Sequence, residues 1–209
     1  MEFQPLKYIY QASGRAAANT LLLLHGTGGD EQDLLPLASH FGKDINVLSL
    51  RGNVSEHGMP RFFKRIGMGV FDEHDLAFRT HEMITFIKQL AEKEGFDVDK
   101  IITLGYSNGA NIAGSALMLY PDFFAGAILF RPMQPFKNQD SFKSLQHKPV
   151  FTSNGSMDPT INAQDTKKYI SLLQQAGYDV THHDLATGHN LGNNDLNLAI
   201  EWYHKNFGS

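Results

Sequence analysis

Three stretches of the 209-residue chain hold side chains that could together attack an acyl carbon. The first is Gly105-Tyr106-Ser107-Asn108-Gly109, set between an apolar run and the helix-compatible run 110–119. Read as a strand-to-helix turn, G-x-S-x-G presents the serine as a nucleophile. A side chain at either flanking glycine would collide with the neighbouring strand or helix. The tight turn lifts Ser107 Oγ above the sheet edge, beside the positive end of the following helix. A serine hydroxyl is a poor nucleophile near neutral pH, so it needs a base, and the base needs an orienting acid. In this architecture the acid and then the histidine follow the serine in chain order. Asp158 stands in Asn154-Gly155-Ser156-Met157-Asp158-Pro159, and His189 in Thr187-Gly188-His189-Asn190. Asp184 is the rival acid, five residues before His189. The plain alternative is a glycine-rich turn with an incidental serine, an ordinary Asp-Pro turn, and one packed histidine among ten.

An acyl transfer also needs donors for the developing oxyanion. His25-Gly26-Thr27-Gly28-Gly29-Asp30 follows the early apolar run 20–24, where this architecture supplies a second backbone donor. The N–H groups of Thr27 and Asn108 are the expected pair, with His25 shaping the turn through a local hydrogen bond. A phosphate loop is disfavoured, because the stretch lacks a G-K-[ST] ending and the chain has no G-x-G-x-x-G. A metal-dependent hydrolase using His182, His183, Asp184 and His189 is a weaker reading. Adjacent strand residues point to opposite faces, so His182 and His183 do not easily share an ion.

Elements must hold these residues together. Apolar runs at 6–11, 20–24, 45–50, 100–104, 126–130, 150–153 and 178–184 read as strands, four of them nearly continuous in aliphatic and aromatic residues. Leu76, Thr80, Met83, Ile87 and Leu90 form one helical face. Tyr169, Leu172, Leu173 and Ala176 form another, closed by Gly177 as a C-cap. Leu196, Ile200, Tyr203 and Phe207 mark a last helix entered through Asn193, Asn194 and Asp195, all good N-cap types. Strands alternating with helices predict a mostly parallel sheet covered on both faces, with its site at the carboxyl ends of the strands.

The set of His25 to Gly29, the Ser107 pentapeptide, Asp158-Pro159 and Gly188-His189 resembles the α/β-hydrolase fold. Within it the chain is similar to the compact carboxylesterase/lysophospholipase branch, which includes acyl-protein thioesterases, and in particular to MhqD-type bacterial hydrolases. The resemblance covers essentially the whole chain, read as one domain over 1–209. It implies nucleophile Ser107, acid Asp158, base His189, and oxyanion donors Thr27 and Asn108. The implied activity is a serine carboxylesterase acting on short- to medium-chain esters through an acyl-enzyme. The alternative is a thioesterase, lysophospholipase or dienelactone-type hydrolase acting on (hydro)quinone-derived compounds. Asn108 replaces the glutamine usual in thioesterase-like members, and Thr160-Ile161-Asn162 replaces a Val-Val-Pro-like stretch. Both departures point away from protein depalmitoylation, though not from ester hydrolysis.

The segment 51–72 is long for a strand-to-helix connection. One reading is an aromatic wall of Phe62, Phe63 and Phe71 beside the nucleophile, with a basic rim of Arg51, Arg61, Lys64 and Arg65 for an anionic or polar substrate end. The other is a surface loop whose phenylalanines tuck into the core. Met157 joins the expected pocket; Met133 and Phe136 are weaker candidates. The segment 131–148, with Pro132 and Pro135, is too short for a helical cap domain, so an open or lightly covered cleft is expected.

Composition narrows the alternatives. Eighteen Lys plus Arg against 22 Asp plus Glu give a net charge of −4, without the positive field that nucleic-acid binding requires. The absence of cysteine removes disulfides, Cys-ligated metal sites and a thiolate nucleophile. The N-terminus carries no long apolar run, and 21–24 is too short to span a bilayer, so a cytoplasmic chain without stable membrane insertion is expected. The reading calls for no metal and no cofactor. Its partner is a small-molecule ester, and a homodimer is left open.

Overall fold

The computed structural model describes residues 2–139 and 141–208. All seven expected strands join one sheet, each within a residue or two of its expected bounds. In chain order they are β1 (Lys7–Gln11), β2 (Thr20–Leu24), β3 (Asn46–Arg51), β8 (Ile101–Tyr106), β9 (Gly126–Phe130), β10 (Pro149–Gly155) and β11 (Asp179–Leu185). The spatial order is β1-β3-β2-β8-β9-β10-β11; β1 runs antiparallel to β3, and the other pairs are parallel.

The pleat explains the unbroken apolar runs. Leu22 and Leu24 of β2 face one core cluster while Leu21 and Leu23 face the other. β9 repeats the division, with Ala127 and Leu129 on one face and Ile128 and Phe130 on the opposite one. A strand covered on both sides needs apolar residues at every position, not at alternate ones. Helices α2 (Glu73–Glu94), α3 (Asn108–Leu119) and α4 (Ala163–Gln175) cover the first face, and the short α1 (Leu35–Ala38) and α5 (Asn193–Phe207) cover the second.

α2 begins where the Asp72 carboxylate accepts the Asp75 N–H and ends at left-handed Gly95. Its stripe of Leu76, Thr80, Met83, Ile87 and Leu90 is buried as expected. α3 is buried along nearly its whole length, so small residues such as Ala110, Ala113 and Ala116 let it lie close to the sheet. The entry to α5 differs from expectation. Gly192 is the N-cap, and Asp195 lies one turn inside, buried, where it accepts the Gly192 N–H at 2.9 Å. Gly177 follows the α4 cap residue Ala176 and holds a positive φ of 102°.

Residues 51–72 are not an open loop. They fold into two hairpins, β4 (Val54–Glu56) with β5 (Met59–Arg61), and β6 (Arg65–Gly67) with β7 (Val70–Phe71). His57 and Gly58 both adopt positive φ, the geometry of a tight two-residue hairpin turn. In contrast, the described residues of 131–148 contain neither helix nor strand, so nothing resembling a helical cap stands over the sheet.

Candidate active site

Ser107 sits between the end of β8 and the start of α3 with φ 51° and ψ −109°, a strained conformation for a residue with a side chain. Its N–H donates to Phe130 O at 2.9 Å, which fixes the turn to β9. The flanking glycines are sterically required. A Cβ on Gly105 would lie 2.5 Å from Gly109 O, and one on Gly109 would lie 2.0 Å from Leu24 O. β8, α3 and β2 are therefore packed too closely at this point for any side chain, and their closeness holds Ser107 at the sheet edge.

β10 and β11 carry the other two residues to the same edge. His189 Nε2 is 2.9 Å from Ser107 Oγ, and His189 Nδ1 is 2.6 Å from Asp158 Oδ2. A carboxylate can only accept, so Nδ1 carries the proton and Nε2 is left to accept the Ser107 hydroxyl. The Asp158 side chain is fully buried. Burial by itself raises its pKa, but donation from the Thr160 hydroxyl, the Thr160 N–H and His189 overcomes this and holds the carboxyl below its ordinary value. Asp184, the rival acid, instead lies 3.4 Å from His182 Nε2. His182 Nδ1 is 2.8 Å from Thr152 Oγ1 and His183 stacks near Phe151, so the residues of the metal-site reading are dispersed.

Two supporting groups carry no recognisable sequence pattern. Thr160 is one; its Oγ1 donates to Asp158 Oδ1 at 2.6 Å. Arg131 is the other, a fully buried arginine with φ 58°. It forms a two-pronged pair with Asp195 at 2.7 and 2.9 Å and donates to Gly188 O and Asn190 O on either side of His189. Asp195 also accepts from the Ser153 hydroxyl. Burial raises its pKa, and these donors more than offset that, so the carboxyl stays depressed. The Tyr106 hydroxyl adds a bond to His189 O at 3.2 Å. The histidine loop is thus held through its backbone.

The glycine-rich turn is built from His25. Its Nε2 accepts the Gly52 N–H at 3.1 Å and its Nδ1 meets Gly26 O at 2.6 Å, which fixes the neutral tautomer with the proton on Nδ1. Burial lowers its pKa, more than the neighbouring Gly26 carbonyl and acidic groups raise it. Gly28 N–H donates to Pro60 O, and Asn108 Oδ1 accepts Phe62 N–H at 2.7 Å, so the hairpins are tied to both sides of the turn. Asn108 is the first residue of α3, where a helix has backbone N–H groups without intrahelical acceptors.

A cavity of about 230 Å³ opens over Ser107 and His189 and is lined by Thr27, Asn108, Arg61, Phe71 and Met133. A second, of about 210 Å³, shares Gly69, Phe71 and Met133 with it and extends past Pro135 and Ile161. Of the expected aromatic wall only Phe71 lines this space. Phe62 and Phe63, in the short irregular link between the two hairpins, are buried in the core. Phe136 is also core, and Met157 is 65% exposed on the outside of its turn.

Residues 8–206 match the phospholipase/carboxylesterase family of α/β-hydrolases. The chain belongs to that family. It is 42% identical to the Bacillus subtilis (strain 168) hydrolase MhqD over 95% of this chain and 98% of that protein. The carboxylesterase of Bacillus cereus superposes with a TM-score of 0.93 at 44% identity, covering 97% of this chain and 95% of that one. YahD, solved with malic acid, superposes at 0.90 with 32% identity over 96% and 99% of the two chains. The fold is accordingly the α/β-hydrolase fold and the chain is a carboxylesterase-type hydrolase. Among the described residues no helix of this family member is long and apolar enough to cross a membrane.

Proposed function

We propose that the chain is a serine carboxylesterase that cleaves small, short- to medium-chain carboxylic esters through an acyl-enzyme on Ser107. The supporting observation is the Asp158–His189–Ser107 relay, with contacts of 2.6 and 2.9 Å in the productive tautomer. Ser107 Oγ attacks the acyl carbon as its proton passes to His189 Nε2. The oxyanion is met by the N–H groups of Thr27 and Asn108, and Asp158 steadies the imidazolium through Nδ1. The tetrahedral centre collapses, the ester C–O bond breaks, and the alcohol leaves with the proton held by His189. Water, activated by His189, then reverses the sequence and releases the acid. Removing one oxyanion donor costs about 3–4 kcal/mol in such sites.

The cavity supports a small ester. Its roughly 230 Å³, even with the adjoining 210 Å³ that shares Gly69, Phe71 and Met133, lies toward the lower end of the ~300–1,000 Å³ of pockets that enclose drug-sized ligands. A series of p-nitrophenyl esters from acetate to palmitate tests the chain-length part. The kcat/KM should peak between acetate and octanoate; a maximum at palmitate would overturn it.

A further inference from the structure

Of the three guanidinium groups lining the cavity that holds Ser107, two share a single carboxylate. Arg61 ends β5 with its side chain 4% exposed. Its Nε donates to Phe63 O at 3.2 Å, and its Nη1 reaches Thr27 Oγ1 at 2.8 Å and Glu56 Oε2 at 3.4 Å. Arg65 begins β6, is one quarter exposed, and donates from Nε to the other oxygen of Glu56 at 2.8 Å. Its Nη1 also meets Met68 Sδ at 3.4 Å. Nη2 of both arginines makes no hydrogen bond among the described residues. The third arginine on this wall, Arg131, is neutralised by Asp195 and spends its donors on the histidine loop. Asp158 also carries negative charge, but it lies buried behind the His189 ring and answers that ring.

The wall therefore keeps one positive charge in excess, beside the turn that carries Thr27. Arg61 on its own reads as a staple between that turn and the hairpins. That role does not account for Arg65, which adds a second guanidinium to an already engaged Glu56 and lines the same cavity. Guanidinium N–H pairs match carboxylate geometry, and charge-assisted bonds of this kind gain strength where water is partly excluded.

We propose that Arg61 and Arg65 form a subsite for a carboxylate carried by the ester itself, so that the preferred substrates are half-esters of small diacids or esters of small hydroxy acids. This rests on the esterase reading above. The free Nη2 groups would take the carboxylate while Thr27 and Asn108 take the reacting carbonyl oxygen. No bond of the hydrolytic sequence changes; the subsite acts by holding and orienting the substrate.

Four esters in two matched pairs test it. Monoethyl succinate and ethyl 4-methylpentanoate differ only in a terminal carboxylate against an isopropyl group on the acyl side. Acetoxyacetate and isobutyl acetate differ in the same way on the alcohol side. Initial rates by pH-stat should show a higher kcat/KM for the anionic member of at least one pair. In Arg65→Gln that anionic-to-neutral ratio should fall by roughly tenfold, the scale of one charge-assisted hydrogen bond, and Arg65→Lys should recover part of it. Circular dichroism of each variant reports folding. If the neutral esters are cleaved but neither pair favours its anionic member, the subsite is refuted and the esterase reading stands. If the ratio is the same in Arg65→Gln as in the wild type, Arg65 has no such role. If none of the four esters is cleaved, the esterase reading fails and the subsite with it.

Discussion

Asp158 remains ionised in a dry site because Thr160 supplies two of its hydrogen bonds. Replacing Thr160 with Val keeps the shape and the backbone donor but deletes the hydroxyl. The carboxyl loses a bond that favours its charged form, so its pKa rises. Because that pKa starts below the ordinary carboxylate value, the effect should appear at the acid end of the kcat/KM–pH profile, where activity is lost at a higher pH than in the parent, with little change near neutrality. An acid limb identical to that of the parent would show that the hydroxyl has no part in tuning Asp158. Ser107, Asp158 and His189 were legible in the sequence, since their order and their places after strands follow from the fold's connectivity. Thr160 was not, because Asp-Pro-Thr looks like any capped turn. Arg131 was also hidden. A single arginine has no period to betray it, and its partner Asp195 resembled an ordinary helix cap.

The hairpins of 51–72 and the Arg131–Asp195 pair act as elements. Phe63 is part of the core beneath the hairpins, so Phe63→Ala should destabilise by about 3–5 kcal/mol. Phe71 lines the cleft and is partly exposed. Phe71→Ala should cost less stability and move the preferred acyl length upward, measured by denaturant melts and the p-nitrophenyl series together. Equal destabilisation by the two substitutions would contradict the division into core and wall. Arg131→Met leaves a buried carboxylate without its cation, a loss of about 3–5 kcal/mol. In a chain of this size that is a fall in Tm on the order of 10 °C, with activity lost as the His189 loop relaxes. The hairpins leave no periodic signal in the sequence because their strands are two or three residues long, too short to display a period of two. Their length and their Phe and Arg content were visible; which phenylalanines turn inward depended on bonds such as Phe62 N–H to Asn108, which link distant segments.

Across the whole molecule, the sheet was the most legible feature. Both its faces are covered, and only continuous apolar runs satisfy that. The antiparallel pairing of β1 was not legible, as a half-buried edge strand such as Lys7–Gln11 suits either direction. Three buried groups also give the molecule a common response to acid. His25, Asp158 and Asp195 all have depressed pKa values in the folded state. Each therefore contributes stability that is complete above its unfolded pKa and is lost as pH falls through its folded one. For His25 the loss begins below about pH 6.5, and for the two carboxyls below about pH 4. Thermal melts from pH 8 downward should show Tm declining below the first value and more steeply below the second. In His25→Gln the first decline should become shallower, the remainder coming from His182, whose pKa is also lowered by burial. A parent Tm that rises between pH 6.5 and 4 would contradict these assignments.

On the proposed mechanism, Ser107 becomes covalently acylated and carries the hydrolysis. The most direct measurement treats wild type and Ser107→Ala with a fluorophosphonate, maps the adduct by peptide mass spectrometry, and follows p-nitrophenyl butyrate turnover in parallel. One adduct on the Ser107 peptide is expected in the wild type and none in the variant, with kcat lower by a factor on the order of 10⁴–10⁶ and an unchanged circular dichroism spectrum. Labelling at another residue, or turnover by folded Ser107→Ala at the wild-type rate, would contradict the account.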